Sequence, residues 1–365
     1  MARPRVHATL ARYKLLPPRT LTLAVTDACN QHCAHCWKSA GGADAARQVP
    51  GETLIGLIRE FRALGGEGVR LTGGEPLCHP QWLDLVRCAV EEGYGAVHLQ
   101  SNGVLFDAER AAALRGLDFP GLAIQLSLDG ATAATHDLVR GEGAFAGVLR
   151  GMAELARAGL GPRLSIFCTE MRHNLHEIPA LMELAERLGV GTVVSGMLVS
   201  CGRAAGGTLQ PPDPAQYLAL VQRYHDDPGF QELYLRVGRI AALEWSRGDT
   251  PRVGGCSFLE NPYLTVEGTL YPCLLCHADP FSVSGVFEKG LAAAICEGAP
   301  LWSRLEAASR RRPEEIARCR ECSERLTCAA GCLGRAWGSC GDLAAPDDRC
   351  EIRRLVCGEE TDPGA

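Results

Sequence analysis

Residues 21 to 200 alternate short β-branched apolar runs with longer segments of helical period, and this alternation limits the fold more than any other feature. It is typical of a parallel sheet covered by helices. The strand-like runs are LTLAV (21–25), GVRLT (68–72), AVHLQ (96–100), LAIQLSL (122–128), RLSIF (163–167) and TVVSGMLV (192–199). Six β/α units are too few for a complete eight-fold barrel, so the pattern predicts an α/β fold with a partial (β/α)6 TIM-like barrel. Its functional groups should follow the carboxyl ends of the strands.

The second half of the sequence changes in composition. A stretch rich in Gly and Pro (202–214) follows the sixth strand, and nine of the 18 cysteines lie between Cys256 and Cys340. Glu267-Gly268 marks the turn of a short hairpin. We therefore divide the chain into an N-terminal segment (1–20), the barrel (21–205), a helical connector (206–250) and a small cysteine-rich domain (251–365).

The cysteine count indicates metal binding once the compartment is considered. The N-terminus has no apolar core of signal-peptide length, and no segment reaches the length of a membrane span, so we expect a cytoplasmic protein with no membrane partner. Disulfides are rare in that compartment, so 18 cysteines favour thiolate ligands for metal. A net charge of -6 is not typical of chains that bind phosphate backbones, so nucleic acid is not expected as a partner.

Three cysteines follow the first predicted strand directly, in the sequence CNQHCAHC. Cys29, Cys33 and Cys36 form a CxxxCxxC spacing. A 4Fe-4S cubane of the electron-transfer type takes four thiolates, so three thiolates leave one iron open. An open coordination position distinguishes a reactive metal site from a structural one. The alternatives are a helical stripe of cysteines or a zinc site completed by His32 or His35.

This spacing resembles that of the radical S-adenosylmethionine (SAM) superfamily, and the resemblance extends over the six strands. In that family the open iron binds the amino and carboxylate groups of SAM. An electron from the cluster then cleaves SAM to a 5′-deoxyadenosyl radical, which abstracts a substrate hydrogen. The resemblance also implies an electron donor such as flavodoxin or ferredoxin as a partner.

Motifs at other strand ends add to the resemblance. LTGGEP follows strand 2, and in similar enzymes the residues at Gly73, Gly74 and Glu75 hold the SAM amino group through backbone carbonyls and a carboxylate. The other implied SAM contacts are Asn102 in the SNG after strand 3, Ser127 for the ribose at the end of strand 4, and Arg140 for the methionine carboxylate. A solvated surface position is the alternative for Arg140.

The C-terminal cysteines form a longer pattern, which resembles the SPASM extension of this superfamily and covers about the last hundred residues. That extension holds two auxiliary 4Fe-4S clusters with ligands interleaved along the chain. The resemblance assigns Cys256, Cys273 and Cys332 to the first auxiliary cluster and Cys319, Cys322, Cys328 and Cys350 to the second. The alternative is a zinc ribbon on Cys319, Cys322, Cys328 and Cys332.

The matched pattern supplies seven cysteines for the eight irons of two cubanes. In sulfatase-maturating relatives the eighth ligand lies a few residues upstream of the position of Cys256, but residues 246–255 contain no cysteine. The first auxiliary cluster therefore has an open iron or takes Cys276, whose CxxC spacing to Cys273 suits a shared cluster. We favour the open iron, because the pattern places no ligand at Cys276.

Two cysteines outside both patterns have expected environments. Cys88 falls within a helical segment and is expected in the core. Cys168 follows the fifth predicted strand and is expected within reach of the cavity.

The resemblance predicts a radical SAM enzyme with three 4Fe-4S clusters, an oxidoreductase or peptide maturase whose substrate is a peptide or protein side chain. One alternative is oxidation or epimerisation of a small molecule, such as an aminocyclitol or a tetrapyrrole side chain, and another is a non-catalytic iron-sulfur or zinc scaffold. Leu274 stands where sulfatase-maturating relatives have a proton-accepting Asp, so sulfatase maturation is disfavoured. The 28 residues before Cys29 leave no room for an N-terminal peptide-recognition domain, which weakens the peptide expectation.

Overall fold

One mostly parallel sheet organises the fold. The structure is a computed structural model that describes residues 2–41, 47–248, 256, 258–276 and 278–357. Its strands are β1 (Thr20–Ala24), β2 (Gly68–Thr72), β3 (Ala96–Ser101), β4 (Leu122–Ser127), β5 (Leu164–Glu170), β6 (Thr192–Met197), β7 (Gly238–Arg239), β8 (Tyr263–Leu264) and β9 (Leu270–Tyr271). They lie in the order β7-β6-β5-β4-β3-β2-β1-β8-β9, and only the β8–β9 pair is antiparallel. Strands that follow each other in sequence are neighbours from β1 to β6, which confirms the predicted partial barrel.

Helices connect the strands and extend beyond them. The first ten are α1 (Ala2–Arg12), α2 (Gly51–Ala63), α3 (Trp82–Glu91), α4 (Ala108–Arg115), α5 (Ala133–Arg140), α6 (Ala144–Arg157), α7 (Ile178–Arg187), α8 (Pro214–Asp226), α9 (Pro228–Val237) and α10 (Ala241–Ser246). The described residues from 256 onward are called the cysteine-rich half below. This half contains α11 (Val286–Lys289), α12 (Leu291–Glu315), α13 (Ala317–Arg320), α14 (Arg325–Cys328), α15 (Leu333–Cys340) and α16 (Cys350–Val356). Among the described residues, no helix is both long enough and apolar enough to cross a bilayer.

Side chains along the central strands alternate between the apolar core and the barrel interior. In β5, Ile166 and Cys168 are buried in the core, whereas Phe167 and Thr169 line a cavity. The expectation that Cys168 reaches this cavity is therefore wrong, because β5 continues through residue 168 and turns that side chain to the core. Cys88 is buried in α3, as predicted.

The cysteine-rich half packs directly on the barrel. Its β8–β9 hairpin turns at Gly268 (φ +76°), as predicted, and extends the barrel sheet beside β1. The Glu60 carboxylate of α2 accepts hydrogen bonds from the backbone N–H groups of Leu291 (3.0 Å) and Ala292 (2.9 Å), and so caps α12. Helix α1, within the N-terminal segment, packs against the same α12. The hairpin thus joins a sheet that the sequence assigned to the barrel alone.

Candidate active site and cysteine clusters

A cavity of about 500 Å³ opens at the carboxyl ends of the barrel strands. The predicted residues in its wall are Cys29, Cys33, Cys36, Gly73, Gly74, Asn102, Ser127 and Arg140. The cysteine-rich half contributes Leu274, Leu275, Arg335 and Arg349. The structure therefore brings the predicted cluster cysteines and SAM contacts together around one space, with the exception of Glu75.

Hydrogen bonds with helix α5 and with the segment after β6 hold the loop that carries the three barrel cysteines. The backbone N–H of Ala34 donates to the carbonyl of Val139 at the end of α5 (2.8 Å). Arg203, which follows β6, donates from Nε to the carbonyl of Cys33 (2.8 Å) and from its backbone N–H to the carbonyl of Cys36 (3.0 Å). The cysteine loop is thus fixed by elements far from it in sequence.

The environment of the barrel cysteines suits ligation of a cationic group. Burial, followed by the nearby Glu75 and Cys33, raises the pKa of the Cys29 thiol to about 12. A thiolate at this position therefore needs positive charge, which iron supplies when it binds. Within the described residues, no group of three or more His, Cys, Asp or Glu side chains is arranged for a single metal ion. A cubane makes a different demand, since each thiolate binds a different iron of the cluster.

The glycines of LTGGEP allow the loop after β2 to lie against the loop after β1. Gly73 has φ +148°, and a Cβ there would lie 2.4 Å from the carbonyl oxygen of Thr26. A Cβ on Gly74 would lie 2.3 Å from the carbonyl oxygen of Ala28. Any larger residue at either position would push the two loops apart.

The structure places Glu75 behind the cavity wall rather than in it. Its carboxylate accepts hydrogen bonds from the Ser101 hydroxyl (2.8 Å) and from the backbone N–H groups of Asn102 (2.7 Å) and Leu77 (3.1 Å). Complete burial raises the pKa of this carboxyl to about 7. Glu75 thus links the loops after β2 and β3, whereas the resemblance to radical SAM enzymes implied that it contacts SAM directly.

Arg140 is buried and belongs to a group of three side chains. Its Nε donates to Asp129 (2.6 Å), and its Nη2 lies 3.3 Å from Nε2 of His35. Burial alone would raise the pKa of Asp129, but Arg140 and His35 bring it down to about 2. Burial and the Arg140 charge lower the pKa of His35 to about 4, so this imidazole is neutral near pH 7. The alternative of a solvated Arg140 is therefore wrong.

Several residues in the cavity wall or directly behind it were not predicted from the sequence. Asp129 belongs to SLDG, the motif from which only Ser127 was selected. Arg335 donates to both oxygens of Asp348 (2.7 and 2.5 Å) and to the carbonyl of Leu198 (3.0 Å). Such contacts join segments far apart in sequence, so no local signal reveals them.

Four C-terminal cysteines surround a second, smaller cavity. This cavity is lined by Cys319, Cys322, Cys328 and Cys350, together with Arg318, Arg325, Arg353 and Arg354. Burial, followed by the charges of the other three cysteines, raises the pKa of Cys319 to about 11. These are the cysteines that the SPASM resemblance groups together. The zinc-ribbon alternative requires Cys332, which does not line this cavity.

Cys332 belongs instead to another group, with Cys256 and Cys273. Burial and the charges of Cys256 and Cys273 raise the pKa of Cys332 to about 11, so the three thiols are neighbours. Cys276 joins them: its side chain shares a hydrogen bond with Cys273 and is 1% exposed. That hydrogen bond, burial and the charges of all three other cysteines raise the pKa of Cys276.

The backbone brings Cys276 to this group. Its N–H donates to the carbonyl of Cys273 (3.2 Å), which closes the CxxC turn. Gly334, two residues after Cys332, packs so closely that a Cβ there would lie 2.3 Å from the carbonyl oxygen of Leu275. The CxxC turn therefore packs against the start of α15, which brings Cys276 near Cys256, Cys273 and Cys332.

Comparison with known proteins agrees with this geometry. The profile of the Radical SAM superfamily matches residues 23–185. Mycofactocin maturase MftC of Mycobacterium ulcerans is 30% identical over 348 residues, which cover 91% of this chain and 88% of that protein. An AdoMet-dependent heme synthase of Nitratidesulfovibrio vulgaris is 28% identical, with coverage of 90% and 91%. Among solved structures, Streptococcus suis SuiB bound to precursor peptide SuiA has a TM-score of 0.73 at 15% identity and coverage of 95% and 79%.

A partial α/β barrel with three thiols after its first strand and a close-packed Gly-Gly loop after its second defines an iron-sulfur enzyme. The chain belongs to the radical SAM superfamily. It binds a 4Fe-4S cluster and SAM, and the predicted enzyme class is confirmed.

Proposed function

We propose that this enzyme modifies a side chain of a peptide or protein by radical chemistry. The observation that carries the proposal is the similarity to maturases, together with a cavity that both halves of the molecule line. The volume of this cavity, about 500 Å³, lies within the roughly 300–1,000 Å³ of ligand-binding pockets. MftC, a maturase, is 30% identical, and the fold resembles that of SuiB, which has been solved with a precursor peptide.

The barrel residues divide into ligands and positioning groups. Cys29, Cys33 and Cys36 hold the radical-generating cluster, and the backbone of Gly73 and Gly74 is exposed to the cavity for SAM. When bound, the cluster supplies the electron that cleaves SAM to the radical which abstracts a substrate hydrogen. Asn102, Ser127 and Arg140 provide polar groups in the cavity wall for SAM. Glu75 keeps the loop of Asn102 in place without reaching the cavity itself.

The two C-terminal cysteine groups are the ligands of two auxiliary 4Fe-4S clusters in this proposal. The cavity lined by Cys319, Cys322, Cys328 and Cys350 supports the second auxiliary site. The group of Cys256, Cys273 and Cys332 includes the buried Cys276, and this supports a fully ligated first auxiliary cluster rather than the open iron that the sequence favoured. A flavodoxin or ferredoxin supplies the electron for SAM cleavage.

The test uses the anaerobically reconstituted enzyme with SAM, a reductant and any short peptide encoded beside its gene. The expected result is formation of 5′-deoxyadenosine together with a change in the mass of the peptide, both absent when SAM is omitted. Turnover of a tetrapyrrole instead of a peptide would favour the small-molecule alternative, for which the heme synthase similarity is the supporting observation.

A further inference from the structure

The cavity wall carries four arginines and no acidic side chain among the described residues. The arginines are Arg140, Arg203, Arg335 and Arg349. Three of these arginines have acceptors: Asp129 for Arg140, the Cys33 carbonyl for Arg203, and Asp348 for Arg335. The fourth, Arg349, has no such acceptor among the described residues.

The guanidinium of Arg349 has no hydrogen-bond acceptor or ion-pair partner among the described residues. Its Nε is buried and unpartnered. The guanidinium lies over the ring of Trp245, 6.0 Å from the ring centroid, which orients it without neutralising it. Its Nη2 would lie 4.0 Å from a Cβ on Gly196, so the absence of a side chain on β6 leaves space beside it.

The nearby carboxylates are committed to other groups. Glu170 is buried and accepts hydrogen bonds from the hydroxyls of Tyr217 (2.6 Å) and Ser195. Asp347 accepts from the backbone N–H of Cys332 (2.8 Å) and pairs with Arg353. Glu170 and Asp347 stabilise the charge of Arg349 through space, but neither accepts a hydrogen bond from its guanidinium, so these N–H groups remain available to an anion in the cavity.

The geometry points to Arg349 as a subsite for a carboxylate of the substrate. This inference rests on the proposed peptide substrate. A guanidinium matches a carboxylate through two parallel hydrogen bonds. A peptide carries that group at its C-terminus or on an Asp or Glu side chain. Because Arg349 comes from the cysteine-rich half, the subsite lies on the wall that this half contributes to the cavity.

The test is affinity selection on the reconstituted enzyme with SAM, using three synthetic pools of acetylated random hexapeptides. One pool lacks Asp and Glu and has a free C-terminus, the second contains Asp and Glu and is amidated, and the third is amidated without acidic residues. Wild type should retain one of the first two pools over the third, and the pool retained identifies the source of the carboxylate. Arg349→Gln should lower that retention by about tenfold to a hundredfold, and Arg349→Lys by less.

Two controls isolate the subsite. Arg150→Gln, at an exposed position on α6, should leave retention unchanged. The affinity for SAM should be the same in Arg349→Gln as in wild type. A tenfold loss of SAM affinity would overturn the inference, since Arg349 would then hold the methionine carboxylate. Equal retention of the neutral pool overturns the subsite but leaves a peptide substrate in place, whereas retention of no pool contradicts both.

Discussion

The barrel and the cysteine-rich half position their cysteines by different means. In the barrel, six strands of five to seven residues carry the loops. The cysteine segment accepts hydrogen bonds from Arg203 and donates one to the carbonyl of Val139. In the other half, α12 has 25 residues, but β8 and β9 have two residues each, and α11, α13 and α14 have four. Elements this short form few backbone hydrogen bonds of their own. The barrel is therefore ordered by its own chain, whereas we expect the cysteine-rich half to depend on its clusters for part of its stability.

The largest expected effect separates the two halves by function. Replacing Cys29, Cys33 and Cys36 by Ala should abolish SAM cleavage and remove about four irons, because each cubane has four. The auxiliary clusters should remain, since their ligands lie in the other half. Iron analysis and an assay for 5′-deoxyadenosine check this, and reductive cleavage that persists in the triple variant would refute the assignment of the radical site.

The second-largest effect is expected within the cysteine-rich half. Cys276→Ala should remove the first auxiliary cluster, about four irons, or change its paramagnetic spectrum, because a fully ligated cubane loses one thiolate. Cys88→Ala is the matched control, since Cys88 is also buried but lies in α3, away from both groups. An unchanged iron content and an unchanged spectrum in Cys276→Ala would instead support a first auxiliary cluster with an open iron.

The next effect concerns the stability of the barrel. Asp129→Asn leaves the buried Arg140 without its ion pair and should lower the free energy of unfolding by about 3–5 kcal/mol. Asp84→Asn breaks an ion pair whose side chains are 51% and 46% exposed, and should cost below about 1 kcal/mol. Anaerobic urea denaturation compares the two variants. Equal losses would show that the buried group of Arg140 does not organise the barrel.

The smallest effect tests the joint between the halves. Glu60→Gln weakens the cap on α12 and should cost about 1 kcal/mol, since the carboxylate accepts from two backbone N–H groups at that helix start. Glu232→Gln, at an exposed position on α9, is the control. Hydrogen exchange should show faster exchange at the start of α12 in Glu60→Gln alone. Identical exchange in both variants would mean that the cap does not join the halves.

The sequence predicted the features that local patterns encode and missed those that arise from distant contacts. Apolar periodicity located β1 to β6, because strand alternation and helix period are short-range signals. The periodicity ended the fifth strand at residue 167. Because β5 continues to Glu170, Cys168 belongs to the strand and its side chain faces the core. The role of Glu75 and the partners of Arg140 depend on segments at the ends of four strands, which meet only in the fold. Arg349 lies in the cavity wall because of tertiary contacts, which no sequence motif predicts.

Iron content and Mössbauer spectra of the anaerobically reconstituted enzyme test the central claim most directly. The account predicts about 12 irons per chain in three cubanes, one of which changes its spectrum when SAM is added. A preparation that holds only zinc, or no more than about four irons after complete reconstitution, would contradict the assignment of two auxiliary clusters to the cysteine-rich half.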